Sequence, residues 1–318
     1  MDLSVIIVNW NSDEYLLKCI PSIRAWTQQV SFEVIVVDNA SPHGEVDRVR
    51  LLFPDVKLIK SNENLGFAGA NNLGVERATG EYVMFLNPDT ELNSPAIDVM
   101  MREIRQLSDA GIVGCKLLNP DLSVQTSSVM SFPRIWNSLF KIEYLRLRWP
   151  KFWGIGVLFS QRTAEAEAIS GACMIMRREV FWQIGGFSEE YFMYSEDLDL
   201  CYQAVRAGFK NYCVGSVTIV HYGGTSSPRP WQTATKTRAL LLFSRKNYGR
   251  VYSQLFRAAM VLNASFRVAV LAAMRFLARL FREKNVLEPT WARWSVILKT
   301  LLKPDESLAE PLAIRSAH

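Results

Sequence analysis

A chain of 318 residues, 49% hydrophobic and 21% charged, is long enough to bury a sizeable core and is neither disordered nor fibrous. Its net charge of +5 is uneven: residues from 229 onward hold 16 Lys/Arg and 5 Asp/Glu, the preceding ones 20 and 26, so an acidic front precedes a basic tail suited to a different partner. The five cysteines are odd in number and form no CxxC pair, which excludes a disulfide framework and points to reduced, packed thiols in a cytoplasmic protein.

The opening MDLSVIIVNWNSDEY has no basic n-region and reaches Asn-Trp-Asn after five apolar residues. It reads as a strand and not as a signal peptide or a membrane span. Short β-branched runs at Ser4 to Val8, Glu33 to Val37, Val56 to Ile59 and Glu81 to Leu86 alternate with helically spaced segments at Asp13 to Trp26, Glu45 to Leu52 and Phe67 to Ala78. That alternation predicts a βαβα chain with a parallel sheet, whose ligands sit beyond the carboxyl ends of the strands. Asn9, Asn11, Asp38, Asn39, Asn62, Asn64, Asn87 and Asp89 end these strands and are expected along one edge.

In GEYVMFLNPDTEL, Pro88 fixes its own φ and biases Asn87 toward extended geometry, presenting Asp89 in one orientation. Asp89 either caps a helix starting near Asn93 or makes an Asx-turn, or it belongs to a ligand site with Asp38. In the segment NENLGFAGANN, glycines allow close backbone approach and a helix N-terminus favours phosphate. A GxGxxG motif after the first strand is absent, so NAD binding is disfavoured.

Further along, Ile169 to Met176 is strand-like and Gly185-Gly186-Phe187 is a turn. In YFMYSEDLDLCY, Ser195 can N-cap a helix whose first turn holds Glu196, Asp197 and Asp199. Crowded carboxylates behind an aromatic run can instead be raised in pKa for general-base work. His221 follows the strand Val217 to Val220, and is either structural or a partner of Asp89 for a divalent ion.

The tail segment LFRAAMVLNASFRVAVLAAMRFLARLFR has no uncharged run longer than Ala258 to Phe266, too short to span a bilayer. On a helical projection Arg257, Arg275, Arg279 and Arg282 fall within about 40° of one direction, opposite a broad apolar face. Residues 255–282 therefore suit an anionic membrane surface, with the arginines on headgroups, or packing on the catalytic domain or a second subunit. Residues 136–153 interleave Trp136, Trp149 and Trp153 with Lys141, Arg146, Arg148 and Lys151, a second candidate for headgroup depth. No nucleic-acid fold accompanies them, so nucleic acid is excluded as a partner. Residues 286–318 are expected to form one more helix and a frayed terminus.

Taken in order, SVIIVNWN, VIVVDNAS, NENLGFAGANN, GEYVMFLNPDT, SGACMIMRREVFWQIGGFSEEYFMYSEDLDLCYQAVRAGF and IVHYGGTS resemble the family 2 glycosyltransferases, in particular their rhamnosyltransferase-like branch. The resemblance implies an α/β, A-type glycosyltransferase fold, a Rossmann-like mostly parallel central sheet flanked by helices, over residues 1–228. Residues 229–318 would then be a helical, basic amphipathic extension. It implies an inverting transferase with Mg²⁺ or Mn²⁺ as cofactor. Asn9, Asn11, Asp38, Asn64, Gly66 and Asn87 would bind the nucleotide-diphospho-sugar donor, and Asp89 and His221 the metal. Asp197 would be the general base, with Glu196 beside it. Asn87 stands where the family has the first carboxylate of its metal motif. Gln203 stands where relatives often carry Arg, and Arg206 is followed by Ala207, so the Gln-x-x-Arg-Trp signature of processive synthases is absent.

The resemblance points to dTDP-L-rhamnose as donor and a polyprenyl-diphosphate-linked saccharide as acceptor, at the inner face of the cell membrane, in O-antigen or cell-wall polysaccharide assembly. A UDP-hexose or UDP-galactofuranose donor, or a soluble acceptor, is the alternative within this class. A non-catalytic assembly protein that kept the fold is the alternative outside it.

Overall fold

The computed structural model describes residues 1–42, 46–140, 148–150, 155–223, 228–280 and 287–303. Strand β1 (Leu3–Asn9), helix α1 (Asp13–Trp26), β2 (Phe32–Asp38), α2 (Val46–Leu52), β3 (Lys57–Lys60), α3 (Gly66–Glu76) and β4 (Tyr82–Leu86) follow the expected alternation to within a residue or two at each end. β1 pairs in parallel with β2 and β4, and β2 with β3. Helices cover both faces of this sheet, so its strands need no polar alternation: Val5, Ile6 and Ile7 are all fully buried.

The remaining strands are β5 (Thr90–Leu92), β6 (Ala110–Leu118), β7 (Val129–Met130), β8 (Thr163–Ala166), β9 (Ala168–Ile169), β10 (Cys173–Arg177) and β11 (Lys210–His221). Between them lie helices α4 (Ala96–Gln106), α5 (Ile135–Phe140), α6 (Arg178–Gln183) and α7 (Glu196–Arg206). The main sheet runs β3-β2-β1-β4-β10-β6-β11-β5, with β8 added on β11. β10 is antiparallel to both β4 and β6, while β6 and β11 are parallel. The carboxyl ends of β1, β2, β4, β6 and β11 therefore share one edge with the beginnings of β5 and β10.

Four expectations are corrected. Ile169 to Met176 is not one strand: Ser170 to Ala172 form a turn between β9 and β10, closed by Cys173 N–H donating to the Ser170 carbonyl at 3.2 Å. Asp89 does not cap the next helix, because β5 intervenes and α4 begins only at Ala96 after Pro95. Ser195 has φ 65, the left-handed region and not the extended geometry of an ordinary N-cap. The start of α3 is not open to phosphate, because its first donors are already satisfied: Leu65 N–H by Asn39 Oδ1, Gly66 N–H by Asn64 Oδ1 and Phe67 N–H by the Phe192 carbonyl.

Gly66 has φ +71, and a Cβ there would lie 2.4 Å from the Phe192 carbonyl oxygen. The glycine is demanded by this backbone approach and not by room for a donor. Asn72 ties down the same region, its amide accepting from Phe187 N–H at 3.0 Å and donating to the Phe187 carbonyl at 2.9 Å.

The chain divides into two compact units, one of residues 1–132, 144–192 and 196–226, the other of 133–143, 193–195 and 227–318. A single cut near residue 228 therefore does not separate them. In the second unit, α5 joins α8 (Arg229–Tyr248), α9 (Arg250–Leu280) and α10 (Glu288–Leu301) around Leu241, Phe256, Ala264 and Leu301.

Contrary to the helical projection, Arg257, Arg267 and Arg275 of α9 are not presented outward. Arg257 donates to the Leu301 and Lys303 carbonyls, Arg267 stacks 4.6 Å over Trp294, and Arg275 stacks 4.2 Å over Trp291 and pairs with Glu288. These contacts satisfy the last carbonyls of α10 and cover the indole faces, so packing captures the cationic stripe. Arg282 and the side chain of Arg279 lie outside the described residues, as do residues 141–147 and 151–154 of the second tryptophan-rich candidate. The open side of α9 is apolar instead, with Val251, Leu255, Leu262, Phe266 and Leu277 exposed. By length and composition Arg250–Ala278 is sufficient to cross a bilayer, contrary to the sequence expectation.

Replacing Gly66 by Ala should destabilise the first unit by about 2 kcal/mol or more, from the left-handed φ together with the Phe192 clash. Urea unfolding checks this, and a midpoint equal to that of the parent would contradict the packing argument.

Candidate active site

The Asn87-Pro88-Asp89 turn ends β4 at the common edge. Thr90 Oγ1 donates to the Asn87 carbonyl at 2.7 Å, closing the turn, and Asn87 N–H donates to the Ala172 carbonyl at 3.0 Å. Asp89 is then held from the end of β11: its carbonyl accepts from Tyr222 N–H and its Oδ2 from Gly223 N–H, both at 2.9 Å. His221 aligns with Thr90 across the β5–β11 ladder, which brings its Nε2 to 3.4 Å from Asp89 Oδ1 and 3.3 Å from Asn87 Nδ2. The structure thus unites Asn87, Asp89 and His221.

Gln125 completes this cluster and has no motif of its own. Its amide lies against His221 twice, Oε1 2.9 Å from Nδ1 and Nε2 2.6 Å from the His221 carbonyl oxygen. Only an alignment of side chains across 96 residues of chain could have signalled it.

Asp89 and His221 offer one carboxylate and one imidazole, with no third His, Cys, Asp or Glu converging on them among the described residues. This set suits a divalent ion whose remaining ligands are oxygens from a diphosphate and water, which is how Mg²⁺ and Mn²⁺ are commonly held at phosphate sites. It does not suit a structural metal caged by protein alone.

On the other side of β4, Asp38 Oδ1 accepts from Ser41 Oγ at 2.6 Å and from Asn9 Nδ2 at 3.0 Å. Asn9 is fully buried and also donates to Asp13, so it orients Asp38 and is not available for donor contact as expected. Asn11 is exposed at φ 50, with its N–H on Ser41 Oγ. Asn64 likewise serves the loop, its Oδ1 accepting from Asn39 Nδ2 and Gly66 N–H. Of the expected donor residues, Asp38 and Asn11 keep the strongest claim, whereas Asn9, Asn64 and Gly66 shape the edge.

The turn before β10 receives the carboxylates of α7. Asp197 Oδ2 accepts from Gly171 N–H and its Oδ1 from Leu198 N–H, both at 2.8 Å. A Cβ on Gly171 would meet Asp197 Cβ at 3.2 Å, so the glycine lets backbone reach the acid. Asp199 points elsewhere, accepting from the buried Tyr191 hydroxyl at 3.2 Å. Glu196 is 6% exposed and no partner reaches its Oε2 among the described residues. Burial, then the neighbouring Asp197 charge, push the Glu196 carboxyl well above the usual carboxylate range. Desolvation thus acts on Glu196, while Asp197 is fixed by backbone donors.

A carboxyl raised in the folded state makes its stabilising contribution in full below the unfolded carboxylate pKa and loses it as pH rises toward the folded value. Glu196→Gln, neutral throughout, should escape this loss. Thermal unfolding should show the variant gaining on the wild type progressively above about pH 4.5. Parallel pH profiles would contradict a raised Glu196 carboxyl.

The profile described as glycosyl transferase family 2 matches residues 4–185. An N-acetylglucosaminyl-diphospho-decaprenol L-rhamnosyltransferase of Mycobacterium tuberculosis is 27% identical over 242 residues, 71% of this chain and 78% of that protein. Rhamnosyltransferase WbbL of Escherichia coli is 24% identical, over 78% of this chain and 97% of its own. The low-salt glycan biosynthesis hexosyltransferase Agl10 of Haloferax volcanii reaches 31% over 69% of this chain and 66% of its own. Among solved structures, the mannosyltransferase PcManGT from Pyrobaculum calidifontis, in complex with GDP-Man and Mn²⁺, superposes with TM-score 0.60 at 18% identity, over 94% of this chain and 85% of its own. With its mostly parallel sheet and carboxylate-bearing edge, the chain belongs to glycosyl transferase family 2, in the rhamnosyltransferase-like branch, and is a glycosyltransferase of the A-type fold.

Proposed function

We propose that the chain transfers one L-rhamnosyl residue, with inversion, from dTDP-L-rhamnose to a saccharide carried on a polyprenyl diphosphate, in O-antigen or cell-wall polysaccharide assembly. The observation that carries this reading is the link between the two acidic centres at one sheet edge. Asn87, beside Asp89 and His221, bonds to Ala172, and the adjacent Gly171 bonds to Asp197. Rhamnosyl transfer and the diphospho-polyprenol acceptor are supported by the names of the mycobacterial and E. coli relatives.

Asp89 and His221 would hold the divalent ion at the donor diphosphate. When bound, Mg²⁺ or Mn²⁺ offsets the charge that develops on the leaving nucleoside diphosphate. Asp38 and Asn11 would receive the nucleoside. Asp197 would take the proton of the attacking hydroxyl on its carboxylate, which the Gly171 and Leu198 N–H groups orient. Burial raises the neighbouring Glu196 carboxyl, which lessens the negative charge beside Asp197. The absent Gln-x-x-Arg-Trp signature supports one sugar per acceptor.

The tail reading changes with the structure. We infer that the second unit meets the anionic inner leaflet through the exposed apolar stripe of α9, with Leu262 and Phe266 at its centre. Arg257, Arg267 and Arg275 stay engaged with α10, and their spread along the helix opposes a spanning placement, since each would lie in hydrocarbon.

Asp197→Asn should keep donor binding and lower turnover by about 10² to 10⁴. Near-parental turnover in Asp197→Asn together with its loss in Glu196→Gln would reassign the base. Titration calorimetry with dTDP-rhamnose, UDP-glucose and UDP-galactose, in Mg²⁺ or EDTA, is expected to give metal-dependent binding of dTDP-rhamnose that Asp89→Ala abolishes. Binding of a UDP sugar alone would change the donor, and binding of none would favour a non-catalytic role. Leu262→Glu with Phe266→Glu should lower sedimentation with anionic vesicles by about tenfold or more, given the apolar burial removed; unchanged sedimentation would move the membrane contact elsewhere.

A further inference from the structure

Gln125 and His221 form a two-point clamp whose chemistry has one consistent assignment. The His221 main-chain carbonyl can only accept, so the amide nitrogen of Gln125 must face it at 2.6 Å. That orientation places Oε1, also an acceptor only, 2.9 Å from His221 Nδ1. Nδ1 must therefore carry a hydrogen. In a neutral imidazole the lone pair then lies on Nε2, where Asn87 Nδ2 can donate to it at 3.3 Å. In that neutral form the same Nε2, 3.4 Å from Asp89 Oδ1, sets a nitrogen lone pair beside a carboxylate oxygen.

The clamp is rigid because Gln125 itself is pinned. Its N–H donates to the Leu117 carbonyl at 2.8 Å, and its carbonyl accepts from Ser128 N–H and from Ser128 Oγ at 2.6 Å. Ser128 Oγ in turn accepts from Leu117 N–H at 2.9 Å. The end of β6 thus fixes Gln125, and Gln125 fixes both the ring and the backbone of His221.

We propose that Gln125 is a positioning residue that selects the Nδ1–H tautomer of His221 and so presents Nε2 as a ligand toward a divalent cation shared with Asp89. This rests on the metal reading above. A side chain that orients a ligating histidine through its other ring nitrogen commonly contributes about 10- to 100-fold in metal affinity.

The test uses the full-length protein labelled with ¹⁵N-histidine, free of metal, as wild type, Gln125→Leu and Gln125→Glu. Two-bond ¹H–¹⁵N correlation spectra read the tautomer, and calorimetry reads Mn²⁺ affinity with and without dTDP. Wild-type His221 should be the Nδ1–H tautomer at pH 7.5. Gln125→Leu, which removes both contacts, should mix the tautomers and weaken Mn²⁺ by about 10- to 100-fold. Gln125→Glu keeps an acceptor for Nδ1–H, so it should retain the tautomer and bind Mn²⁺ more tightly than Gln125→Leu; it also serves as the readout if the leucine variant fails to fold. A role as simple packing would leave tautomer and Mn²⁺ affinity unmoved in both variants. A wild-type Nε2–H tautomer or imidazolium, or unchanged Mn²⁺ affinity in the variants, overturns the role of Gln125. Absence of Mn²⁺ binding to the wild type, with or without dTDP, defeats the metal reading itself and with it the proposal.

Discussion

Strand β10 lies between β4 and β6 and runs against both. A parallel sheet delivers its functional loops from the carboxyl ends of its strands, and an antiparallel insertion adds to that edge a loop entering from the opposite direction. Here the inserted strand brings Ser170 to Ala172 to the end of β4. The Asn87 to Ala172 hydrogen bond then couples the loop holding Asp89 to the loop receiving Asp197. The approach of these two loops follows from this register. A slip of one residue in β10 would exchange the faces of Cys173 to Arg177 and carry Gly171 away from the acid.

The two acidic centres are built on different principles. Asp89 is held by backbone donors from the end of β11 and is matched with an imidazole, an arrangement that concentrates ligands for a cation. Asp197 is held by backbone donors from the turn before β10 and from its own helix, beside a glutamic acid whose carboxyl burial raises. A raised Glu196 carboxyl limits the repulsion that crowded carboxylates would otherwise impose at the start of α7.

In the second unit, aromatic and carbonyl groups of α10 capture Arg257, Arg267 and Arg275 of α9, and exposed apolar residues line its open side. Cation–π stacking on Trp291 and Trp294 holds the guanidinium groups of Arg275 and Arg267 against indole faces, and the Glu288 carboxylate partners the largely buried Arg275. This inverts the reading of the same helix as an isolated amphipathic segment, where the arginines form the outward face.

What the sequence determined by itself was local. Strand and helix alternation over residues 3–86, the proline-locked turn at Asn87 to Asp89, the Gly185-Gly186 turn and the carboxylate-rich start of α7 follow from periodicity, backbone restriction and side-chain chemistry. The common edge of Asn9, Asp38, Asn87 and Asp89 follows from parallel connection alone. Tertiary structure decided what depends on pairing between distant segments. It buried Asn9 behind Asp38, assigned Gly66 to the Phe192 carbonyl, raised the Glu196 carboxyl by burial, brought Gln125 to His221 and turned Arg257, Arg267 and Arg275 onto α10. Each of these is set by strand register or helix docking, whose energies come from surfaces far apart in the chain and leave no periodic trace in either segment.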